Sequence, residues 1–191
     1  MEVLAEHLLP ADVVPGVIDV LGHHGLSVWC YRGVDWLVLD AHGPHVAKEA
    51  ATVEFEPTVT DTFDGLTDGV AKLVGVSDDP GAVEAATAAV RDRFGDGVSA
   101  SASQPYYLDV THPQANKGCV VTFLAGALAV AEAEIATIGD MPNDVLMFAR
   151  SGLSIAMGNA DREVQRAARR VTTSHDDDGF AAAIDRFVLG P

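Results

Sequence analysis

Two cysteines, Cys30 and Cys119, are all that 191 residues contain. That is too few for a disulfide framework, so packing has to hold the fold. Basic residues are scarce as well: 12 Lys and Arg stand against 28 Asp and Glu, a formal charge of −16. A nucleic acid would be repelled, which excludes it as a partner. The same charge makes an anionic ligand costly to attract unless the site brings a cation of its own. No apolar run is long enough to cross a bilayer, so no membrane partner is expected. A secretory leader needs a basic start, whereas residues 1–20 carry Glu2, Glu6, Asp12 and Asp19, so a cytoplasmic protein is expected. The acidic excess fits a high-salt habitat equally well. Repeats and low-complexity segments are missing. What is present, 48% hydrophobic residues over this length, suffices for one large or two small globular domains.

Lysine is rarer still, with only Lys48, Lys72 and Lys117. Lys117 stands just before Gly118 at the predicted start of the helix KGCVVTFLAGAL, where the dipole opposes a cation, so the position asks for a specific reason beyond solvation. Lys72, in the apolar strand GVAKLVGV, reads as an edge residue whose head reaches water, with a substrate contact as the alternative. Further along, TIGDMPND (137–144) has a recognisable order. Ile135–Ile138 is a short apolar run suited to a strand buried on both faces. Gly139 allows a sharp exit and leaves Asp140 at the strand's carboxyl end. Pro142 suits the first turn of a helix, and Asn143 and Asp144 share that turn. Ligands of open α/β sheets bind beyond the carboxyl ends of the strands. Asp140 and Asp144 are therefore expected to hold a hard cation such as Mg²⁺, while Asn143 and the helix N-terminus face an anion.

Four stretches, THPQANKG (111–118), IGDMPND (138–144), SGLSIAMGNA (151–160) and DDDGFAAAI (176–184), resemble the end of a haloacid-dehalogenase (HAD) superfamily phosphatase of the Cof type. The resemblance implies a partial doubly wound parallel (Rossmann-like) core over residues 111–191, with a mixed α/β cap domain over residues 1–110. It implies Mg²⁺ as cofactor and a small phosphorylated metabolite, such as a sugar phosphate, as substrate. Carried over residue by residue, Lys117 stabilises phosphate and nucleophile, Asp140 helps hold Mg²⁺, and Asn143 and Asp144 support phosphate and metal. The cap would close over the substrate and exclude water.

One departure stands out. The family's nucleophile is the first aspartate of a DxDGT motif near the N-terminus, and no such motif occurs in these residues. The Ser or Thr that ends the family's next core strand has no counterpart either. Two βα units of ~30 residues each would lie before Met1, and the chain reads as a fragment, a product of a misplaced start, or a degenerate member. A partner chain or a homo-oligomer could then complete the core. WLVLDAHG (36–43) imitates the motif, with His42 in place of the second acid. However, LSVWCYRGVDWLVLD reads as two antiparallel strands about an Arg32–Asp35 turn, not as a central parallel strand. DTFDGLTDG (61–69) has one residue too many between Asp61 and Asp64 and reads as a solvated acidic loop. The rival classes are a non-catalytic protein that binds Mg²⁺, anions or a partner, and a receiver domain. Lys117 precedes Asp140, whereas receivers have the opposite order.

Elsewhere the pattern predicts a helix over 10–21 ending at Gly22, strands at 26–31 and 71–76, and a helix over 80–94 capped by Asp79. Strands at 98–103 and 106–110 follow. From Lys117 helices and strands alternate, as in a parallel sheet with crossovers. His42 and His45 flank Pro44 with no further ligand nearby, which argues against zinc. Met141, Met147 and Met157 read as packing residues, and Asp176–Asp178 as a helix-entry cluster. Gly158–Asn159 reads equally as a support of the site or as a plain tight turn.

Overall fold

The computed structural model describes residues 5–190. The chain divides into two compact units, Met1–Ala115 and Asn116–Pro191.

The first unit runs α1 (Val14–His23), β1 (Ser27–Arg32), β2 (Asp35–Val38), α2 (Val46–Val53), β3 (Thr58–Val59), β4 (Val70–Val76), α3 (Pro80–Phe94), β5 (Ser99–Gln104) and β6 (Tyr107–Thr111). Its sheet has the order β3-β2-β1-β4-β6-β5, antiparallel except where β3 joins β2. The hairpin expected around Arg32 and Asp35 forms, with those two residues paired and Gly33 at φ 59 in the turn, a conformation glycine adopts without steric cost.

Alternation along the strands gives the sheet two different faces. Val28, Cys30, Leu73, Leu108 and Val110 pack under α1 and α3. Trp29, Trp36, Val38, Val74, Val76 and Tyr107 form a second cluster with Val46 and Ala50 of α2. Burial pushes the Cys30 thiol up to about 11, against a smaller opposing pull from Arg32, so Cys30 is a packing residue with no thiolate at neutral pH. Asp79 caps α3 as expected, its side chain accepting from Gly81 N at 2.9 Å.

Two expectations for this unit are corrected. The first helix starts at Val14, because Pro10 opens a separate turn (Val13 N to Pro10 O, 2.9 Å) and Pro15 occupies the first turn proper. It also runs through Gly22, the left-handed stop being Gly25 at φ 74. Lys72 is not on an edge: β4 pairs with β1 on one side and β6 on the other, so its side chain rises from mid-sheet.

The second unit alternates as expected: α4 (Lys117–Leu128), β7 (Ala136–Gly139), α5 (Val145–Phe148), β8 (Leu153–Ala156), α6 (Arg162–Ala167), β9 (Arg170–Val171) and α7 (Gly179–Ala183). Its sheet is parallel, in the order β7-β8-β9. Central β8 is buried from Ser154 to Ala156. Only Thr137 is buried on β7, which corrects the reading of a strand covered on both faces: among the described residues β7 is an edge strand with β8 as its one partner. Phe148, Ala156, Ala160 and Val164 form the only buried cluster described for this unit. Helix α4 meets α5 so closely that a Cβ on Gly118 would lie 2.7 Å from Leu146 O. Its Val120, Phe123, Leu124 and Leu128 remain exposed at the three- and four-residue spacing of one helix face.

Hydrogen exchange should follow this difference in cover. In a dilute monomer, amides of β1, β4 and β6 should exchange slowest, and those of β7 and α4 markedly faster. Equal, strong protection in both units would contradict the packing described.

Candidate active site

The site is built where β7 ends. Asp144, in the short 3-10 turn Pro142–Asp144, folds its side chain back over that strand end. Its Oδ2 accepts from Asp140 N and Met141 N, both at 3.0 Å. Its Oδ1 accepts from Lys117 Nζ at 2.5 Å. Asp144 is only 3% exposed, and a buried carboxylate needs such donors to remain charged. The fold admits it because residue 139 is glycine: a Cβ there would come within 2.5 Å of Asp144 Cβ and Cγ.

Lys117 is the first residue of α4, with Asn116 as N-cap accepting from Cys119 N at 3.0 Å. The unfavourable dipole at that position is offset by the Asp144 carboxylate. The Lys117 side chain remains 51% exposed, so a cation is fixed at one end and open to solvent. An ammonium has three donors, and Asp144 takes one.

Asp140 stands beside this pair, half-buried. Its Oδ2 accepts from Asn159 Nδ2 at 2.9 Å, and Asn159 Oδ1 in turn accepts from His175 N at 3.1 Å. The turn after β8 therefore orients the carboxylate. Asn143 contributes a buried amide oxygen with no hydrogen-bond partner among the described residues. An orphaned acceptor of this kind costs stability unless a ligand or cation satisfies it. Beneath the turn, Thr137 and Ser151 share a buried hydroxyl contact of 2.8 Å.

Lys117, Asp140, Asn143 and Asp144 thus lie together in one unit. Asn116 was not singled out from sequence, although an Asn directly before a helical run is an N-cap signal. From sequence Asn159 reads equally as a support or a plain turn, and the bond to Asp140 gives it a supporting contact. The look-alike segments lie elsewhere: Asp40 Oδ1 accepts from His42 N at 2.8 Å in the turn after β2, and Asp61 and Asp64 are exposed in the loop before β4. His45 bonds Asp78 at 2.8 Å and stacks on Tyr106. No group of three or more His, Cys, Asp or Glu converges as a metal-ligand set among the described residues, and no described helix is long and apolar enough to cross a membrane.

Residues 1–184 match the family model of the haloacid dehalogenase-like hydrolases. A 5-amino-6-(5-phospho-D-ribitylamino)uracil phosphatase of Bacillus subtilis is 34% identical over 90 residues, 47% of this chain and 32% of that protein. Among solved structures, a haloacid dehalogenase-like hydrolase from Bacteroides thetaiotaomicron superposes with a TM-score of 0.76 at 31% identity, over 97% of this chain and 70% of that one. The subclass IIB sugar phosphatase BT4131 gives a TM-score of 0.82 at 21% identity, covering 97% and 70%, a likeness of fold. Eight curated relatives are matched over 31% to 66% of their own length. The fold is the α/β arrangement of that superfamily.

Unequal hydrogen bonding separates the two aspartates by stability. Asp144→Ala strands Lys117 and two backbone N–H groups and should cost about 3 kcal/mol, whereas Asp140→Ala, losing one exposed bond, should cost about 1 kcal/mol or less. Urea unfolding followed by far-UV circular dichroism measures both. Equal losses would mean that Asp144 does not organise the turn.

Proposed function

The chain belongs to the haloacid dehalogenase-like hydrolase family, and from that premise we propose that residues 116–190 supply the cation- and phosphate-binding part of a Mg²⁺-dependent phosphohydrolase. The substrate we propose is a small phosphomonoester such as a sugar phosphate. One observation carries the reading: a half-exposed ammonium, Lys117, is pinned 2.5 Å from a buried carboxylate, Asp144, beside the separately oriented carboxylate of Asp140. One ammonium and two carboxylates leave the cluster one charge negative, which repels phosphate until a divalent cation reverses the sign.

Mg²⁺ takes oxygen donors, keeps several waters, and uses one or two carboxylates together with substrate phosphate. Asp140 and the orphaned Asn143 oxygen are donors of that kind. Asp140 would hold the ion. Asp144, with three of its four lone-pair directions already engaged, serves mainly to fix the turn and the lysine. When bound, Mg²⁺ supplies charge neutralisation on the phosphoryl oxygens. Lys117, whose ammonium engages only Asp144 among the described residues, contributes its two other N–H donors to the same oxygens, held in place before the substrate arrives.

The phosphoryl acceptor is the finer part of the proposal. No DxDGT stands in the 191 residues, and the outer edge of β7 is unpaired among the described residues. We propose that a strand bearing that aspartate lies along β7, contributed by further sequence or by another chain. Its carboxylate would attack phosphorus in line as the ester P–O bond breaks, the alcohol leaving with a proton taken up from solvent; water would then attack the aspartyl-phosphate, losing a proton to solvent and releasing phosphate and the free carboxylate. The exposed face of Val120, Phe123, Leu124 and Leu128 supports a second reading, in which the unit binds a partner or a second copy without turnover.

Hydrolysis of p-nitrophenyl phosphate with Mg²⁺ distinguishes these readings. The chain alone should give background rates. Fused to a DxDGT-bearing segment of a relative, it should turn over, and Lys117→Ala should then lower kcat about 100- to 1,000-fold. Normal kinetics for Lys117→Ala would remove the site. Robust turnover by the unfused chain that Asp40→Asn abolishes would move the nucleophile to the end of β2. Independently of turnover, Asp140→Asn should weaken Mg²⁺ binding in calorimetry while the melting curve changes little.

A further inference from the structure

Where β1 begins and β2 ends, the first unit holds a cavity of about 270 Å³. None of the residues assigned to the site above lines it. Two packed clusters meet there. Leu26, Val28 and Phe63 come from the core beneath α1 and α3, and Trp29 and Val38 from the cluster under α2. The bland account is an imperfect join between the two clusters, which would forfeit a few contacts and hold no ligand. Three observations go against it.

The first concerns Gly22, which lines the cavity from α1. Its φ is not positive, and glycine within a helix is less favourable than alanine. A Cβ added to it would meet nothing within 4 Å. Neither backbone conformation nor crowding requires glycine there, and the missing side chain leaves the cavity wall open. The second is Leu39, which lines the cavity and is nevertheless 50% exposed. An apolar side chain that faces both the hollow and solvent marks the mouth. The third is polar. Asp40, exposed beside Leu39, also lines the cavity. Its Oδ1 accepts from His42 N at 2.8 Å, which fixes the carboxylate, and its Oδ2 has no partner among the described residues.

These walls decide the ligand class. An apolar cavity bounded by a tryptophan ring takes a hydrocarbon body, because burial removes its surface from water. A carboxylate at the mouth with one free oxygen takes a hydrogen-bond donor, and a charged donor best. No lysine or arginine lines the cavity to neutralise it. The formal charge of −16 further favours a cation there and disfavours an anion. The volume limits the body to one ring or a short chain.

We propose that this cavity binds a small amphipathic amine, its apolar body against Trp29, Val38 and Phe63 and its ammonium on Asp40. The proposal does not rest on any reaction at Asp140, and its test reads binding alone.

Titration of the full ¹⁵N-labelled chain at pH 7 with 2-phenylethylamine, 2-phenylethanol and phenylacetate provides that test. The three probes share one ring and differ in the charge of the head. The amine should move the Trp29 indole signal and the amides of Ser27, Leu39 and Asp40, with saturation by about 10 mM. The Trp36 indole, which does not line the cavity, should move less. 2-Phenylethanol should bind about fivefold more weakly, the share expected of one exposed charge pair. Asp40→Asn should lower the amine's affinity to that of the alcohol. Gly22→Leu should weaken both probes about tenfold while the remaining spectrum keeps its dispersion; if that variant unfolds, Asp40→Asn alone decides. The proposal fails if the amine leaves these signals unmoved. It fails equally if phenylacetate moves them as strongly, or if either folded variant binds the amine as the parent does.

Discussion

A single carboxylate organises the second unit. Asp144 accepts from the backbone on one oxygen and from Lys117 on the other. In this way it joins the end of β7 and the 3-10 turn that follows it to the start of α4, where Lys117 lies 27 positions before Asp144 in the chain. Neither partner is stable in its position alone. A buried aspartate without donors would lose its charge or its burial, and a lysine at a helix N-terminus meets the wrong end of the dipole. Each removes the other's penalty. Gly139 makes the arrangement sterically possible, since a side chain there would occupy the volume of the Asp144 carboxylate. A rigid turn results, and Asp140 projects from it at a strand end, where α/β proteins bind ligands.

Much of this was legible because local rules and tertiary demands agree. The Arg32–Asp35 hairpin, the Asp79 cap and the alternation of elements after Lys117 follow from turn chemistry, capping and periodicity. Errors arose where the deciding fact was a neighbour. Ile135–Ile138 is apolar enough for a buried strand, but burial depends on neighbours, and among the described residues β7 has one strand partner. Lys72 reads as an edge residue because lysine is costly mid-sheet, yet Asp109 and the Tyr31 ring compensate it there. The first helix is expected from residue 10 but starts at Val14, because Pro10 O closes a turn of its own, which residue types alone do not show. Asn159 could not be assigned from sequence, since its partner lies nineteen positions away across a strand crossover.

Charge is distributed with similar economy. Of the three lysines, Lys117 and Lys72 each face an aspartate at short range, and Lys48 donates to Tyr106 Oη at 2.8 Å. On a surface dominated by carboxylates, a lone cation would be paired by whichever acid lies nearest. Committing each lysine to a specific partner makes its position predictable, and it keeps local positive potential at a few sites rather than spread thinly. The second unit depends most on this, because its own buried apolar cluster is small.

The division of aromatic residues has a practical outcome for anyone following the chain's unfolding. Both tryptophans and all three tyrosines, Trp29, Trp36, Tyr31, Tyr106 and Tyr107, fall in the first unit, whereas the second has phenylalanine as its only aromatic type. Absorbance at the tyrosine and tryptophan bands, and intrinsic emission, therefore report one half of the molecule. The half that carries Lys117 and Asp140 melts without a tyrosine or tryptophan signature. A smooth single transition seen by emission would describe the six-stranded sheet alone, and a calorimetric enthalpy larger than its van't Hoff counterpart would reveal the silent unit unfolding separately.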